Sequence, residues 1–176
     1  MIKKEELKLT RDWDKTFPKS EKVDHCKVTF VNRYGITLAA DMYVPKDAAG
    51  RLPAIAVCGP FGAVKEQCSG LYAQTMAERG FLTIAFDPSY TGESGGSVRY
   101  MASPDINTED FMAAVDFLSL CDRVDPDRIC IIGIYAWGGK GAQHSGAGYP
   151  HPGYGSLHHV RYDPGERQGL LRRGGQ

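Results

Sequence analysis

Three features of this sequence could carry chemistry: a serine in a glycine-rich pentad, a tyrosine just past a glycine turn, and histidines gathered near the carboxyl end. Gly92-Glu93-Ser94-Gly95-Gly96 matches G-x-S-x-G, the spacing with which a sharp strand-to-helix turn presents a serine hydroxyl as a nucleophile. That turn needs a buried strand immediately before it and a helix immediately after. Here the pentad lies several residues past an apolar run and is followed by Ser97, so Ser94 is expected to shape a loop. Tyr135 comes directly after the apolar run Arg128 to Ile134, where Gly133 is expected to begin a tight turn, so it is placed at the carboxyl end of a strand. His144, His151, His158 and His159 supply imidazole donors, but their spacing fits no zinc pattern and no rigid element is expected to hold them, so no metal site is expected. The cysteines Cys26, Cys58, Cys68, Cys121 and Cys130 form no Cys-x-x-Cys pair and read as reduced, mostly core, thiols.

The elements that must position these residues follow from periodicity. Met1 to Asp24 is a polar lead-in, with Trp13 and Phe17 as candidate anchors. Cys26 to Val31 and Thr37 to Val44 alternate polar and apolar residues around a turn at Asn32 to Gly35, which predicts a β-hairpin. Pro53 to Cys58, Phe81 to Phe86 and Arg128 to Ile134 are short apolar runs of the kind buried on both faces of a parallel sheet. A helix is predicted from Val64 to Arg79 with Gly80 as its stop, and another from Thr108 with Asn107 as its N-cap. Strand, helix, strand, helix, strand with right-handed crossovers gives an α/β fold: a mostly parallel sheet flanked by helices, with the hairpin at its start. Ligands in such sheets bind at the carboxyl ends of the strands, which draws attention to the loops after Cys58, Phe86 and Ile134.

Those three loops carry a resemblance. Gly59-Pro60-Phe61-Gly62, Asp87-Pro88-Ser89-Tyr90-Thr91-Gly92-Glu93-Ser94-Gly95 and Gly133-Ile134-Tyr135-Ala136-Trp137-Gly138-Gly139, in that order and strand context, resemble the alpha/beta-hydrolase superfamily, in particular its dienelactone-hydrolase-like bacterial esterase and peptidase branch. The likeness spans about Val23 to Gly139. It implies hydrolysis of an ester, lactone or amide through an acyl-enzyme, with no cofactor. Tyr135 falls on the nucleophile elbow, and the backbone N–H groups of Phe61 and Ala136 fall on the oxyanion hole. The family has serine or cysteine at the elbow. A tyrosine hydroxyl lies much further from the backbone and overshoots a carbonyl set for a short side chain, so the elbow reads as substituted and inactive. Asp87 reads as a structural loop carboxylate, because the family's acid lies on a later strand.

The composition changes after Lys140. From Gly141 to Gln176 the chain is rich in glycine, histidine and arginine and lacks lysine, so the expected organisation is a lead-in at 1–24, a partial hydrolase domain at 25–140 and an irregular tail at 141–176. The resemblance then implies a truncated fold without the triad's acid and histidine. A single-base frame shift near Lys140 accounts for the change: synonymous codons for His158 to Arg167, read one base on, spell a segment resembling the continuation of these esterases. The alternatives kept open are a non-catalytic ligand-binding module and a non-functional frame-shifted product. Zero formal net charge gives no footprint for nucleic acid or an anionic membrane, and neither partner is expected. A charged start and the lack of any long apolar run predict a cytoplasmic protein.

Overall fold

The computed structural model describes residues 5–135 and the backbone of residues 155–160. Chain order is β1 (Val23–Val31), β2 (Thr37–Pro45), β3 (Leu52–Cys58), α1 (Cys68–Ala77), β4 (Leu82–Phe86), α2 (Pro104–Ser119), β5 (Val124–Ile134) and β6 (Gly155–Val160). The strands form one sheet in the order β1-β2-β4-β3-β5-β6. At its centre β4, β3 and β5 run parallel, while the hairpin β1–β2 joins β4 antiparallel and β6 joins β5 antiparallel. The expected α/β architecture is therefore present.

Both faces of the central strands are covered, which is why their sequences are apolar throughout rather than alternating. On one face α2 packs Phe111, Ala114 and Leu118 over Ala54, Ala56, Ile84, Phe86 and Ile131. The Phe86 and Phe111 rings meet edge-on at 5.1 Å, and Phe30 stacks on Phe117 at 5.2 Å. On the other face Ala73 and Ala77 of α1 cover Ile55, Val57, Tyr43 and Ala85, together with Phe17 from the amino-terminal segment. Trp13 packs edge-on against Phe17 at 5.8 Å and donates its indole N–H to the Phe17 carbonyl, so the two aromatic anchors act as one unit. Burial of each large side chain in these clusters contributes about 2 kcal/mol.

Several boundaries differ from the sequence-based expectation, each for a local reason. Helix α1 starts at Cys68 rather than Val64, because the Lys65 N–H is already donated to Asp87 and residues 64–67 close a turn through Gln67 N–H to Val64 O. It ends at Ala77, two residues before the expected Arg79, while Gly80 supplies the expected stop with φ +97° and a bond to Ala77 O. Asn107 is not the N-cap of α2. Ser103 is, with Pro104 as first helical residue, while Asn107 is buried and turns its side-chain oxygen back to the Ser103 N–H. Strand β5 starts at Val124, four residues early, because residues between Val124 and Ile129 bulge around the Asp125–Arg128 ion pair before the ladder resumes. Residues 155–160, expected to be irregular, pair with β5 as β6 despite lacking strand periodicity. The remaining tail residues lie outside the described part of the chain.

Candidate active site

The register of the parallel strands sets the ends of β3, β4 and β5 at one level. Cys58 is the Cα partner of Gly133, and Val57 is the partner of Ala85, one residue before Phe86. The three loops singled out in the sequence therefore leave the same rim of the sheet.

Tyr135 is the first residue past β5. It adopts φ +61° and its side chain is 66% exposed. A left-handed conformation costs a bulky L-residue about 1–2 kcal/mol, so the surrounding structure must impose it. A strand ending on a forced positive φ is the backbone form of a nucleophile elbow. Ala136, the expected oxyanion donor on this side, lies outside the described residues, as do Trp137, Gly138 and Gly139. Across the ladder, the loop after β3 makes a tight turn: the Ala63 N–H donates to Pro60 O at 2.9 Å, and Gly62 takes φ +85°, as the third residue of a type II turn requires. Phe61 is the second residue of that turn and half exposed.

The loop after β4 is held by buried polar contacts rather than by apolar packing. Asp87, fully buried, accepts the Lys65 backbone N–H (2.8 Å), the Lys65 ammonium (2.8 Å) and the Glu93 N–H (3.0 Å). Ser94 is also buried; its hydroxyl donates to Asp87 O at 2.7 Å and accepts the Ala39 N–H at 2.9 Å. Both of its hydrogen-bonding roles are spent on shaping the loop, in agreement with its expected role and against use as a nucleophile. Asp87 likewise serves as a structural carboxylate.

A second buried carboxylate, Asp110 of α2, holds the same loop from the opposite face. It accepts the Ser89 N–H and hydroxyl, the Asn32 amide and the Asn107 amide at 2.7 to 3.2 Å. Burial pushes its carboxyl above the ordinary aspartate value, against the lowering effect of those donors. Sequence reasoning did not single out Asp110 or Lys65. For Asp110 a signal existed, since Asn107 and Asp110 are spaced i, i+3 and lie on the face carrying Phe111 and Ala114. For Lys65 none did: a lysine at the start of a predicted helix looks like any solvated lysine.

Lys65 anchors an ionic network along the face covered by α1 and the amino-terminal segment. Its ammonium reaches Asp87, Glu66 and Glu93, while Lys27 bonds Glu93 at 2.6 Å and Lys15 bonds Asp14 at 2.7 Å and Asp41 at 3.0 Å. Burial alone would lower the Lys65 pKa, but the surrounding carboxylates outweigh it and hold the group above the usual lysine range. Burial would raise Glu93, yet Lys27, Lys65 and the Thr10 N–H bring it down to about 2. Asp14, Glu66 and Glu93 bring oxygens within 4.8 Å of one another, a spacing that could suit a cation. Lysine ammonium groups already lie against each of them, so this donor set does not call for a metal.

Comparison with known proteins follows this geometry. Residues 34–143 match the family described as X-Pro dipeptidyl-peptidase (S15 family). The protein PA2218 of Pseudomonas aeruginosa is 73% identical over 135 residues, covering 76% of this chain and 36% of its own length. Its crystal structure superposes with a TM-score of 0.76 at 71% identity, over 78% of this chain and 43% of that one. YcjY of Escherichia coli is 45% identical over 117 residues, 64% of this chain and 38% of YcjY. Acetyl xylan esterase 1 from Thermoanaerobacterium shares the fold, with a TM-score of 0.59 at 17% identity, over 77% of this chain and 46% of that one. The chain thus spans between 36% and 46% of the length of these relatives.

Proposed function

Since the chain belongs to the X-Pro dipeptidyl-peptidase (S15) family and has the alpha/beta-hydrolase fold, we propose that its β3 and β5 loops form the oxyanion-loop and elbow portion of an acyl-transfer site. The substrate class is a small ester, lactone or amide, of the kind the dienelactone-hydrolase-like branch handles. One observation carries the reading: the forced positive φ of Tyr135, directly after a buried parallel strand and on the same rim as the Phe61 turn. In this site the backbone N–H groups of Phe61 and Ala136 stabilise the developing oxyanion, while position 135 faces the acyl carbon.

Activity is impaired in this chain, because the aromatic ring of Tyr135 carries its hydroxyl past the point where a short nucleophile would act. Turnover of p-nitrophenyl acetate by the purified chain tests this. Negligible turnover, unchanged by Tyr135→Phe, is expected. Turnover that disappears with Tyr135→Phe overturns it.

A second reading, a non-catalytic ligand-binding module, is favoured by the two buried carboxylates that still fix the rim beside a substituted elbow. Ester-dependent thermal stabilisation without turnover supports it. Among the described residues no helix is long and apolar enough to cross a membrane. We place the protein in the cytoplasm, and its zero net charge supports a reading without nucleic-acid or anionic-membrane partners.

A further inference from the structure

We infer that Lys65 is a positioning residue for the candidate site: with Asp87 it clamps the loop bearing the Phe61 turn to the loop that leaves β4, so that the two move as one body. The inference rests on the reading of the Phe61 turn as part of the acyl-transfer site.

The geometry is that of one carboxylate serving two loops. Asp87 Oδ1 accepts the Lys65 backbone N–H, while Asp87 Oδ2 accepts both the Lys65 ammonium and the Glu93 N–H. Lys65 lies four residues past Phe61, and the Pro60–Ala63 turn fills the interval. The Lys65 side chain is fully buried, and its three ammonium protons have three acceptors: Asp87, Glu66 and Glu93. Gly92 permits the arrangement, because a Cβ there would stand 2.2 Å from Asp87 Oδ2. Glu93 extends the clamp to the amino-terminal segment through the Thr10 N–H and to β1 through Lys27.

Such a pair is poorly explained by stability alone. A buried ion pair is often replaceable by apolar residues of similar volume at no net loss, since desolvation cancels much of the attraction. What an apolar pair cannot reproduce is direction. Three acceptors converging on one ammonium, and three donors on one carboxylate, fix where both loops sit. Arginine would not substitute, because its planar fork does not match three acceptors arranged around a single nitrogen.

Amide hydrogen exchange on the full chain tests the clamp, read by mass spectrometry in the segments 59–66 and 87–96. Lys65→Met is expected to speed exchange about tenfold in both segments while the β3 and β4 strands keep their protection, as local opening without global unfolding requires. Adding Asp87→Asn to Lys65→Met is expected to restore part of that protection, since it removes the orphaned buried charge. A side chain that merely fills space would give additive losses and no such rescue. If Lys65→Met does not fold, Asp87→Asn alone decides, and faster exchange in both segments is expected. Loosening confined to 87–96, or strictly additive effects, overturns the inference. No substrate enters the measurement: coupled loops in a chain that fails the acyl-transfer tests keep the clamp and sink the functional reading, and uncoupled loops in a chain that passes them do the reverse.

Discussion

Gly133 lies opposite Cys58 in the parallel ladder of β5 and β3. Adjacent strands run about 4.8 Å apart, so the chain turns off the sheet at two neighbouring points on one rim. Tyr135 follows two residues after one point and Phe61 three residues after the other. The site is thus built by register, before any side chain is considered, and the β4 loop beside it is fixed by buried carboxylates.

One tight packing constraint in this loop is at Gly92. It combines φ +54° with a would-be Cβ 2.2 Å from Asp87 Oδ2. Gly92→Ala is therefore expected to lower the urea-unfolding free energy by about 1–3 kcal/mol, the range for a strained backbone position that also displaces a buried group.

Asp110 is the shared acceptor of Ser89, Asn32 and Asn107. Asp110→Ala leaves several buried donors unpaired and is expected to cost about 2–4 kcal/mol in thermal or urea unfolding. Asp110→Asn keeps acceptor capacity on one atom and is expected to cost less. Equal and small losses for both would show that the carboxylate does not hold the loop.

Glu93 gives the acid side of the stability profile a defined contribution. Its pKa falls from the ordinary 4.5 to about 2 in the folded chain, so its stabilisation is fully present above 4.5 and lost as pH drops toward 2. Glu93→Gln is expected to flatten stability against pH in that window while leaving the slope above pH 6 unchanged. An unaltered acid limb, measured by urea unfolding between pH 2 and pH 6, would contradict the network.

The family match stops at residue 143, close to the point where composition turns to glycine, histidine and arginine. Sequencing the coding region across codons 130 to 176 is expected to reveal a single-base insertion or deletion near codon 140 whose correction restores a hydrolase-like continuation. A coding region without such a change removes the frame-shift explanation.

Much of this arrangement was legible in the residues themselves. Apolar runs such as Leu82–Phe86 announce strands buried on both faces, and Gly80 marks the punctuation, because each reflects a local cost that tertiary context does not erase. Gly133, expected to begin a turn, is instead paired with Cys58 inside β5, and the turn falls at Tyr135. The reading of Ser94 also came from local context, since a G-x-S-x-G without flanking strand and helix cannot form an elbow. What stayed hidden was long-range. The start of α1 depends on Asp87, 22 positions from Lys65, taking a backbone N–H, and Asn107 serves inside α2, between Ser103 and Asp110, rather than as its N-cap. Strand β6 is hidden differently: its pairing comes from the open edge of β5, not from its own periodicity.

We propose that position 135 stands at the end of β5 on the rim that carries the Phe61 turn, where an acyl-transfer nucleophile would sit. The most direct test is to place a short nucleophile there: treat Tyr135→Cys with p-nitrophenyl acetate and map the acyl adduct by peptide mass spectrometry, with exposed Cys26 as the internal reference. Acylation at position 135 outpacing that at Cys26 by at least about a hundredfold is predicted, the lower end of what one correctly placed oxyanion donor supplies. Acylation at Cys26 with position 135 left unmodified would contradict it.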